Sequence, residues 1–379
     1  MIRSLKIRLY PTKEQEILMN KHIDACRFWY NYMLELQNKR FERHEEILSR
    51  FEMCGLITVA KKNPEYQWLK EIGTHSLQIV CRDLDCAYTN MFCGRANRPK
   101  FKSKKKAKRV FPIDQEILWF DKKHLAHISK IGKVKFKTDY DLPVGTSAKF
   151  TNARVSNIGN KWILTFGLEV ENQNLELTND SMGIDLGVKE TATVAIGTDK
   201  VVIHNINKSK RVRFLNKEIS RVQKSISRKY EANKVGNVYV KTRNIEKLEI
   251  KLRRLYARVA NIQQNYIHQS THSLIMMRPS RIVIEDLNVI GMMKNRHLSK
   301  AVLEQGFHEW RRQLEYKCEF YGIPLVVADR FYPSSKTCYC CKAIKSDLKL
   351  SDRTYVCSEC GYVEDRDFNA ALNLMSYEV

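Results

Sequence analysis

Two pairs of cysteines near the C-terminus constrain this chain more than any other feature. Cys338-Tyr-Cys-Cys341 is followed, after fifteen residues, by Cys357-Ser-Glu-Cys360. Each C-x-x-C pair can form a tight knuckle, and two knuckles at this separation close on one tetrahedral ion as a four-thiolate zinc ribbon. Cys340 offers a second register, but only Cys338 with Cys341 reproduces the two-residue gap of the other pair. The eleven cysteines are an odd number with five in this region, which fits metal ligation in a reducing interior better than a disulfide framework.

Charge narrows the partner. Lys and Arg total 66 against 42 Asp and Glu, a formal net charge of +24 over 379 residues. That excess is far beyond what a small-molecule enzyme needs and points to a polyanion, most simply nucleic acid. The sequence holds no apolar run of membrane-spanning length. It opens on the charged, strand-like Met1-Ile-Arg-Ser-Leu-Lys rather than a signal peptide, so a cytoplasmic, nucleoid-associated protein with no membrane partner is expected.

In chain order, Ile2 to Tyr10 alternates apolar and basic residues as a short strand. Thr12 and Gln15 are placed for a capping box that opens a helix running to about Gln37, with Ile23, Cys26, Tyr30, Met33 and Leu34 on one face. Two more helices are expected between 40 and 95, interrupted near Gly55 and Asn63-Pro64. Phe28, Trp29 and Tyr30 read as core rather than base-stacking platforms. From Gly94 to Arg109 there are nine Lys or Arg, no acid and one aromatic, Phe101. Arg98, Lys100, Lys102, Lys104, Lys105 and Lys106 of this run are candidate phosphate contacts. Short alternating segments follow at Ile117–Phe120, Leu125–Ile128, Gly132–Phe136 and Arg154–Val155. A hairpin turning at Gly159-Asn160 puts Trp162, Leu164, Phe166, Leu168 and Val170 on one face. Together with the N-terminal strand these predict a small barrel.

The catalytic candidates are acids inside apolar strands. In Met182-Gly-Ile-Asp185-Leu-Gly187-Val, Ile184 and Leu186 face one way and Asp185 the other, an expensive placement unless the carboxylate is paired or metal-bound. Gly187 frees the backbone to turn into a second strand, Ala192–Ile196. Between about 208 and 277 a helical hairpin carries the seam Ile219, Val222, Ile226 and, past Gly236-Asn237, Ile245, Leu248, Leu252, Leu255, Val259, Ile262 and Tyr266. Its outer faces are lined with Lys and Arg. Arg281-Ile-Val-Ile-Glu285-Asp286 is the second acid-bearing strand, where alternation favours Glu285 over Asp286. An amphipathic helix (Phe307, Trp310, Leu314, Tyr321), a strand at Ile323–Ala328, the ribbon and a last helix from about Asp367 to Ser376 complete the chain. Ala370 and Ala371 would let that helix lie close on the sheet. Asp185, Glu285 and Asp367, with Asp365 as the alternative third, would repel one another unless Mg²⁺ or Mn²⁺ were bound. Two such ions about 4 Å apart activate water and stabilise the leaving oxygen in phosphodiester hydrolysis. Asp185 would bridge both, with Glu285 and Asp367 each on one.

Gly-Ile-Asp185-Leu-Gly, Ile-Glu285-Asp-Leu-Asn, Ser-Lys-Thr-Cys338-x-x-Cys341, Cys357-x-x-Cys360-Gly and Asp365-Arg-Asp367-x-Asn-Ala-Ala resemble the RuvC and zinc-ribbon signatures of TnpB proteins. These are transposon-encoded RNA-guided DNA endonucleases related to compact type V CRISPR effectors. Lys-x-Arg-Leu-Tyr-Pro-Thr-x-Glu-Gln near the N-terminus and Asn288-x-x-Gly-Met-x-x-Asn295 are similar too, so the resemblance spans the chain. It implies a multidomain α+β and α/β protein. A wedge-type β-barrel (1–10 and 96–175) would carry a helical recognition insert (11–95). After a linker (176–181) would come an RNase H-like RuvC domain (182–333 and 364–379) with an inserted zinc ribbon (334–363). It implies a guide RNA, double-stranded target DNA recognised beside a short motif, a monomeric ribonucleoprotein, two Mg²⁺ or Mn²⁺ per active site on Asp185, Glu285 and Asp367, and one structural Zn²⁺ on Cys338, Cys341, Cys357 and Cys360. Three other readings compete: an unguided RuvC-type strand-transferase or resolvase, a guide-dependent regulator that binds without cutting, and a zinc-ribbon nucleic-acid chaperone. The first leaves the large basic N-terminal half unexplained, and the last two leave the acids idle.

Overall fold

The computed structural model describes residues 1–378 except 106, 146–148, 350 and 351. Two compact units divide the chain, Met1–Val170 and the part from Glu171 onward.

In the first unit, β1 (Ile2–Tyr10) buries Leu5, Ile7 and Leu9 and leaves its basic residues outside. A 30-residue helix, α1 (Lys13–Glu42), begins at the Thr12–Gln15 capping box and runs past Gln37. It is followed by α2 (Arg50–Lys62), a 3₁₀ stretch Pro64–Glu71 and α3 (Thr74–Phe92). Gly55 was expected to interrupt, but it lies inside α2. The Ser49–Glu52 capping box starts that helix, and Met53 and Ile57, both fully buried, hold its face. Trp29 and Tyr30 are core, as read, whereas Phe28 joins Tyr32, Tyr66 and Trp68 in a partly exposed aromatic cluster.

The strands that follow are β2 (Val110–Pro112), β3 (Trp119–Phe120), β4 (Leu125–Ile128), β5 (Gly132–Lys137), β6 (Phe150–Ile158) and β7 (Lys161–Glu169). They pair antiparallel in the order β2-β6-β7-β1-β5-β4-β3. The sheet curls until Phe120, from one end strand, meets Phe150 and Phe166 at ring separations of 5.3 Å. Its ladder is not closed among the described residues, so the expected barrel is an open, rolled sheet. The sequence missed β2 and most of β6, because a register shift between Thr151 and Arg154, with Asn152 at φ 48°, breaks the alternation.

The second unit is built on β8 (Ser181–Leu186), β9 (Ala192–Ile196) and β10 (Asp199–Ile203). After them come α4 (Lys210–Ala232), the short strands β11 (Lys234–Val235) and β12 (Val238–Tyr239), and α5 (Arg243–Met276). Next are β13 (Arg281–Glu285), α6 (Val289–Met293), α7 (Ser299–Gln305), α8 (Phe307–Tyr321) and β14 (Leu325–Ala328), and the chain ends with β15 (Thr354–Val356), β16 (Val363–Asp365) and α9 (Arg366–Met375). Five strands form one mixed sheet ordered β10-β9-β8-β13-β14, with β8, β13 and β14 parallel and β9 and β10 antiparallel. Met182, Ile184, Ile282 and Ile284 face Ile267, Leu274 and Ile275 of α5 and Trp310 and Leu314 of α8. On the other face, Ala195 and Val283 lie under Ala371, Leu372 and Leu374 of α9.

The segment expected as the end of the barrel (to 175) and as a linker (176–181) instead belongs to this unit. Gln173 N–H donates to the Phe320 carbonyl at 2.8 Å, Leu175 and Leu177 pack on the core, and Ser181 already starts β8. Tyr266, read as part of the hairpin seam, packs instead against the sheet's core. Among the described residues, no helix is long and apolar enough to cross a membrane.

Candidate active site and metal centre

Asp185 and Glu285 sit on neighbouring parallel strands. Ile184 and Ile284 are register partners, so the two acids, one residue further along, stand side by side. Strand alternation turns both toward the face that carries α9, and Asp367 lies in the first turn of that helix. Local packing explains how close the helix comes. A Cβ on Gly183 would lie 2.1 Å from the Ala371 carbonyl oxygen and 2.3 Å from the Met375 nitrogen. Only a glycine there, opposite the small Ala370 and Ala371, admits α9 to the sheet. Gly187, singled out from the sequence, makes the turn with an ordinary φ; a Cβ added there would lie 3.1 Å from the Glu190 carbonyl oxygen.

The electrostatics follow from that crowding. Burial pushes the Asp185 carboxyl well above its ordinary value, the charges of Glu285 and Asp367 push it further, and Arg366 pulls it back. Burial also raises Glu285, against a hydrogen bond that the Ser334 hydroxyl donates to its Oε1. Asp367 accepts from Arg366 at 2.8 Å, with Arg353 4.0 Å away.

The rival acids are engaged elsewhere. Asp286 is paired with Arg330 at 2.9 Å and Arg311 at 2.8 Å, which hold its carboxyl below the usual range. Asp365 caps α9, accepting from Phe368 N–H at 3.0 Å, and meets Lys200 at 3.3 Å. The three facing carboxylates are hard oxygen donors suited to Mg²⁺ or Mn²⁺.

Cys338, Cys341, Cys357 and Cys360 bring their sulfurs within 4.8 Å of one another, with Cys338–Cys360 and Cys341–Cys357 each at 3.6 Å. Zinc–sulfur bonds of about 2.3 Å at tetrahedral angles require separations of about 3.8 Å, so the donor set fits that ion. Backbone N–H groups of Cys360 and Glu359 hold the Cys357 thiol down to about 6, which favours the thiolate needed for ligation. Cys340 is exposed and outside the cluster, which settles the register.

Sequence reasoning missed the groups that brace this arrangement. Asn369 and Asn373, both fully buried and one turn apart on α9, donate to the Thr337 carbonyl at 2.8 and 2.6 Å. Asn373 also donates to the Ser334 carbonyl at 3.0 Å, and Tyr339 N–H donates to Asn369 Oδ1 at 3.1 Å. Two amides four residues apart in an otherwise apolar helix were the available signal.

The basic run is less uniform than its composition. Arg98 donates to Asn38 at 2.9 Å and lies over Phe41, Lys104 is 3.8 Å from Asp24, and the Lys102 ammonium sits 3.4 Å over the Tyr30 ring. Lys102 is exposed as a residue, but its ammonium is engaged with Tyr30, and partial desolvation lowers its pKa. Lys100 and Lys105 are exposed, and Lys106 lies outside the described residues.

Residues 307–374 match the Cas12f1-like TNB domain, residues 165–296 a family described as "Probable transposase", and residues 1–46 a "Helix-turn-helix domain". A "Putative RNA-guided DNA endonuclease" of Streptomyces pristinaespiralis is 29% identical over 374 residues, 99% of this chain and 89% of that protein. InsQ of Escherichia coli K12, with the same description, is 28% identical over 391 residues, covering 99% and 92%. This is a TnpB-like protein. Its mixed α+β fold is similar to a compact Cas12 effector: the Cas12f1 chain superposes with a TM-score of 0.60 at 12% identity, covering 99% of this chain and 98% of that one. The match over residues 1–46 corresponds here to β1 and the single continuous α1, with no turn between two helices.

Proposed function

We propose that the chain is an RNA-guided DNA endonuclease that hydrolyses DNA phosphodiesters at Asp185, Glu285 and Asp367. One observation carries the reading: three acids from distant parts of the sequence face one another, and the central one is raised well above its ordinary value by burial and by the other two. Such a site is built to receive cations. Bound there, a pair of Mg²⁺ or Mn²⁺ ions would supply an activated water and a Lewis acid for the leaving oxygen.

The residues divide the work. Asp185, on the middle strand of the five, presents its carboxylate between the other two. Glu285 is oriented by the Ser334 hydroxyl, and Asp367 is fixed by the start of α9 and by Arg366. In this reading the second unit is an RNase H-like RuvC domain with an inserted ribbon holding one Zn²⁺. The rolled sheet is a wedge domain around the helical recognition insert, and a monomer binds one guide RNA and double-stranded target DNA. The names borne by the two bacterial relatives, and the net charge of +24, support a nucleic-acid partner of this kind.

The test begins with protein purified from cells carrying the DNA that flanks its gene, followed by sequencing of RNA that survives a high-salt wash. One abundant structured RNA with a variable 3′ segment, and Mg²⁺-dependent cutting of a matched plasmid that Asp185→Ala abolishes without loss of RNA, is the expected result. Mg²⁺-dependent nicking of branched DNA by RNA-free protein would move the assignment to the unguided enzyme.

A further inference from the structure

The helical hairpin carries a surface that the catalytic reading does not use. On α4, Lys210, Arg213, Lys217, Arg221, Lys224 and Arg228 follow one another at steps of three or four residues, so they form a single file. The apolar residues Val212, Leu215, Ile219, Val222 and Ile226 occupy the opposite side of the helix and pack against α5. All six cations are exposed, and among the described residues none of them enters an ion pair or a side-chain hydrogen bond. Neutralisation is available nearby and goes elsewhere: Glu218 takes Lys251 at 2.8 Å, and Glu249 takes Lys241 at 2.8 Å. Successive like charges at this spacing destabilise a helix, so an uncompensated file of them marks a face completed by an anion.

The file runs about 27 Å at 1.5 Å per residue, straight and rigid, with one positive charge roughly every 5 Å. The exposed Phe214 stands beside the N-terminal half of the file and the rest of it is free of aromatics, so phosphates meet the cations along its length and at most one base or ribose stacks at its edge. The file's position chooses between nucleic acids. The hairpin is rooted through Ile267, Leu274 and Ile275 in the layer opposite the face that carries Asp185 and Glu285. A strand lying on α4 is therefore not the one presented to the acids. The nucleic acid held throughout and left uncut is the guide.

We propose that the outer face of α4 binds the sugar–phosphate backbone of a double-helical stem of the guide RNA. This rests on the RNA-guided reading and assigns its scaffold a seat.

The test uses full-length protein and the RNA that copurifies with it, re-bound between 50 and 200 mM salt by wild type, by Lys217→Gln/Arg221→Gln/Lys224→Gln and by the charge-conserving Lys217→Arg/Arg221→Lys/Lys224→Arg. Each phosphate contact contributes about 0.7–0.9 to the log–log salt slope, so the neutral triple should be shallower by about 2–3 and lose roughly 20- to 40-fold of its salt sensitivity. The charge-conserving triple should keep the wild-type slope, and hydroxyl-radical protection of one RNA stem should vanish only in the neutral triple. Since the three side chains are exposed, the charge-conserving triple should melt with wild type and the neutral triple at or slightly above it, so a weaker salt slope cannot come from unfolding. An unchanged slope and footprint in the neutral triple overturns the assignment while leaving the RNA-guided reading intact. A change seen only when duplex DNA is added to the preformed complex overturns it in favour of a DNA surface. Wild-type protein that retains no RNA brings down the RNA-guided reading and this inference with it.

Discussion

Replacing Gly183 by alanine tests the packing that brings the acids together. The new Cβ would stand 2.1 Å from the Ala371 carbonyl oxygen, 2.3 Å from the Met375 nitrogen and 2.9 Å from its Cα, all backbone atoms of α9. No rotamer change relieves this, so the helix must retreat by about 1.3 Å, the least that restores ordinary contact. Overpacking of this kind costs about 1–3 kcal/mol. For a unit of this size that is a fall in melting temperature of about 2–12 °C. Because α9 also carries Asp367, the same shift displaces a proposed ligand, and a misplacement of about 1 Å lowers catalysis by roughly 10²-fold. Thermal melts and matched-target cleavage read both effects. Gly55→Ala is the control: it is exposed inside α2 with nothing within 4 Å of the added carbon, and it should gain about 1 kcal/mol from helix propensity. A Gly183→Ala protein that melts and cuts like wild type would refute the close-approach argument.

Ser334→Ala removes the hydrogen bond that lowers Glu285, so the acid limb of the pH–rate profile should move upward and neutral-pH cleavage fall by about 10- to 100-fold, with Ser334→Thr restoring part of it; an unmoved profile contradicts the positioning role. Asp185 is raised in the folded state, so the folded protein binds its proton more tightly than the unfolded chain, and metal-free stability falls as pH rises from the ordinary carboxylate range toward the raised value. In chelator, Asp185→Asn should therefore melt above wild type at pH 8, with little difference at pH 3, and should lose the Mn²⁺-induced rise; equal melting at both pH values rejects the burden assigned to Asp185. Cys357→Ser should drop zinc content below one per chain and loosen the ribbon, measured by elemental analysis and limited proteolysis. Asn373→Leu should keep the zinc yet cut poorly, because it leaves the Ser334 carbonyl without its buried donor at a cost of about 1–3 kcal/mol.

What the sequence disclosed was whatever depends on spacing along one element. The two-residue period placed Ile184 and Leu186 opposite Asp185, and Val283 with Glu285 opposite Ile284, as the packing has them. Capping chemistry located the start of α1, and the three-four period marked the seam between α4 and α5. What escaped was set by contacts between distant residues. Ser334 meets Glu285 across 49 positions, and the special property of Gly183 exists only because α9 arrives 188 to 192 residues later. Local exceptions misled in the other direction. Gly55 is tolerated because capping and two buried neighbours outweigh its helix penalty, and β10, an edge strand opening on Asp199-Lys200, shows almost no alternation.

The placement of the four thiols bears on the acids because the peptide between them is short and held at both ends. Cys338 follows directly on Thr337, whose carbonyl is gripped by Asn369 and Asn373, and three residues earlier Ser334 gives its carbonyl to Asn373 and its hydroxyl to Glu285. Asn369 and Asn373 belong to the helix that begins with Asp367. Fixing Cys338 in a metal cluster therefore fixes the segment that orients one proposed ligand and clamps the helix bearing another. The three amide bonds are buried and the Ser334–Glu285 bond is partly so, so losing them costs polar groups their partners with little water to replace them. A ribbon serving only to hold nucleic acid would not need amides buried in α9. Their presence argues that the ribbon also acts as a structural wedge for the proposed catalytic face, and the separate behaviour of Cys357→Ser and Asn373→Leu distinguishes the two roles.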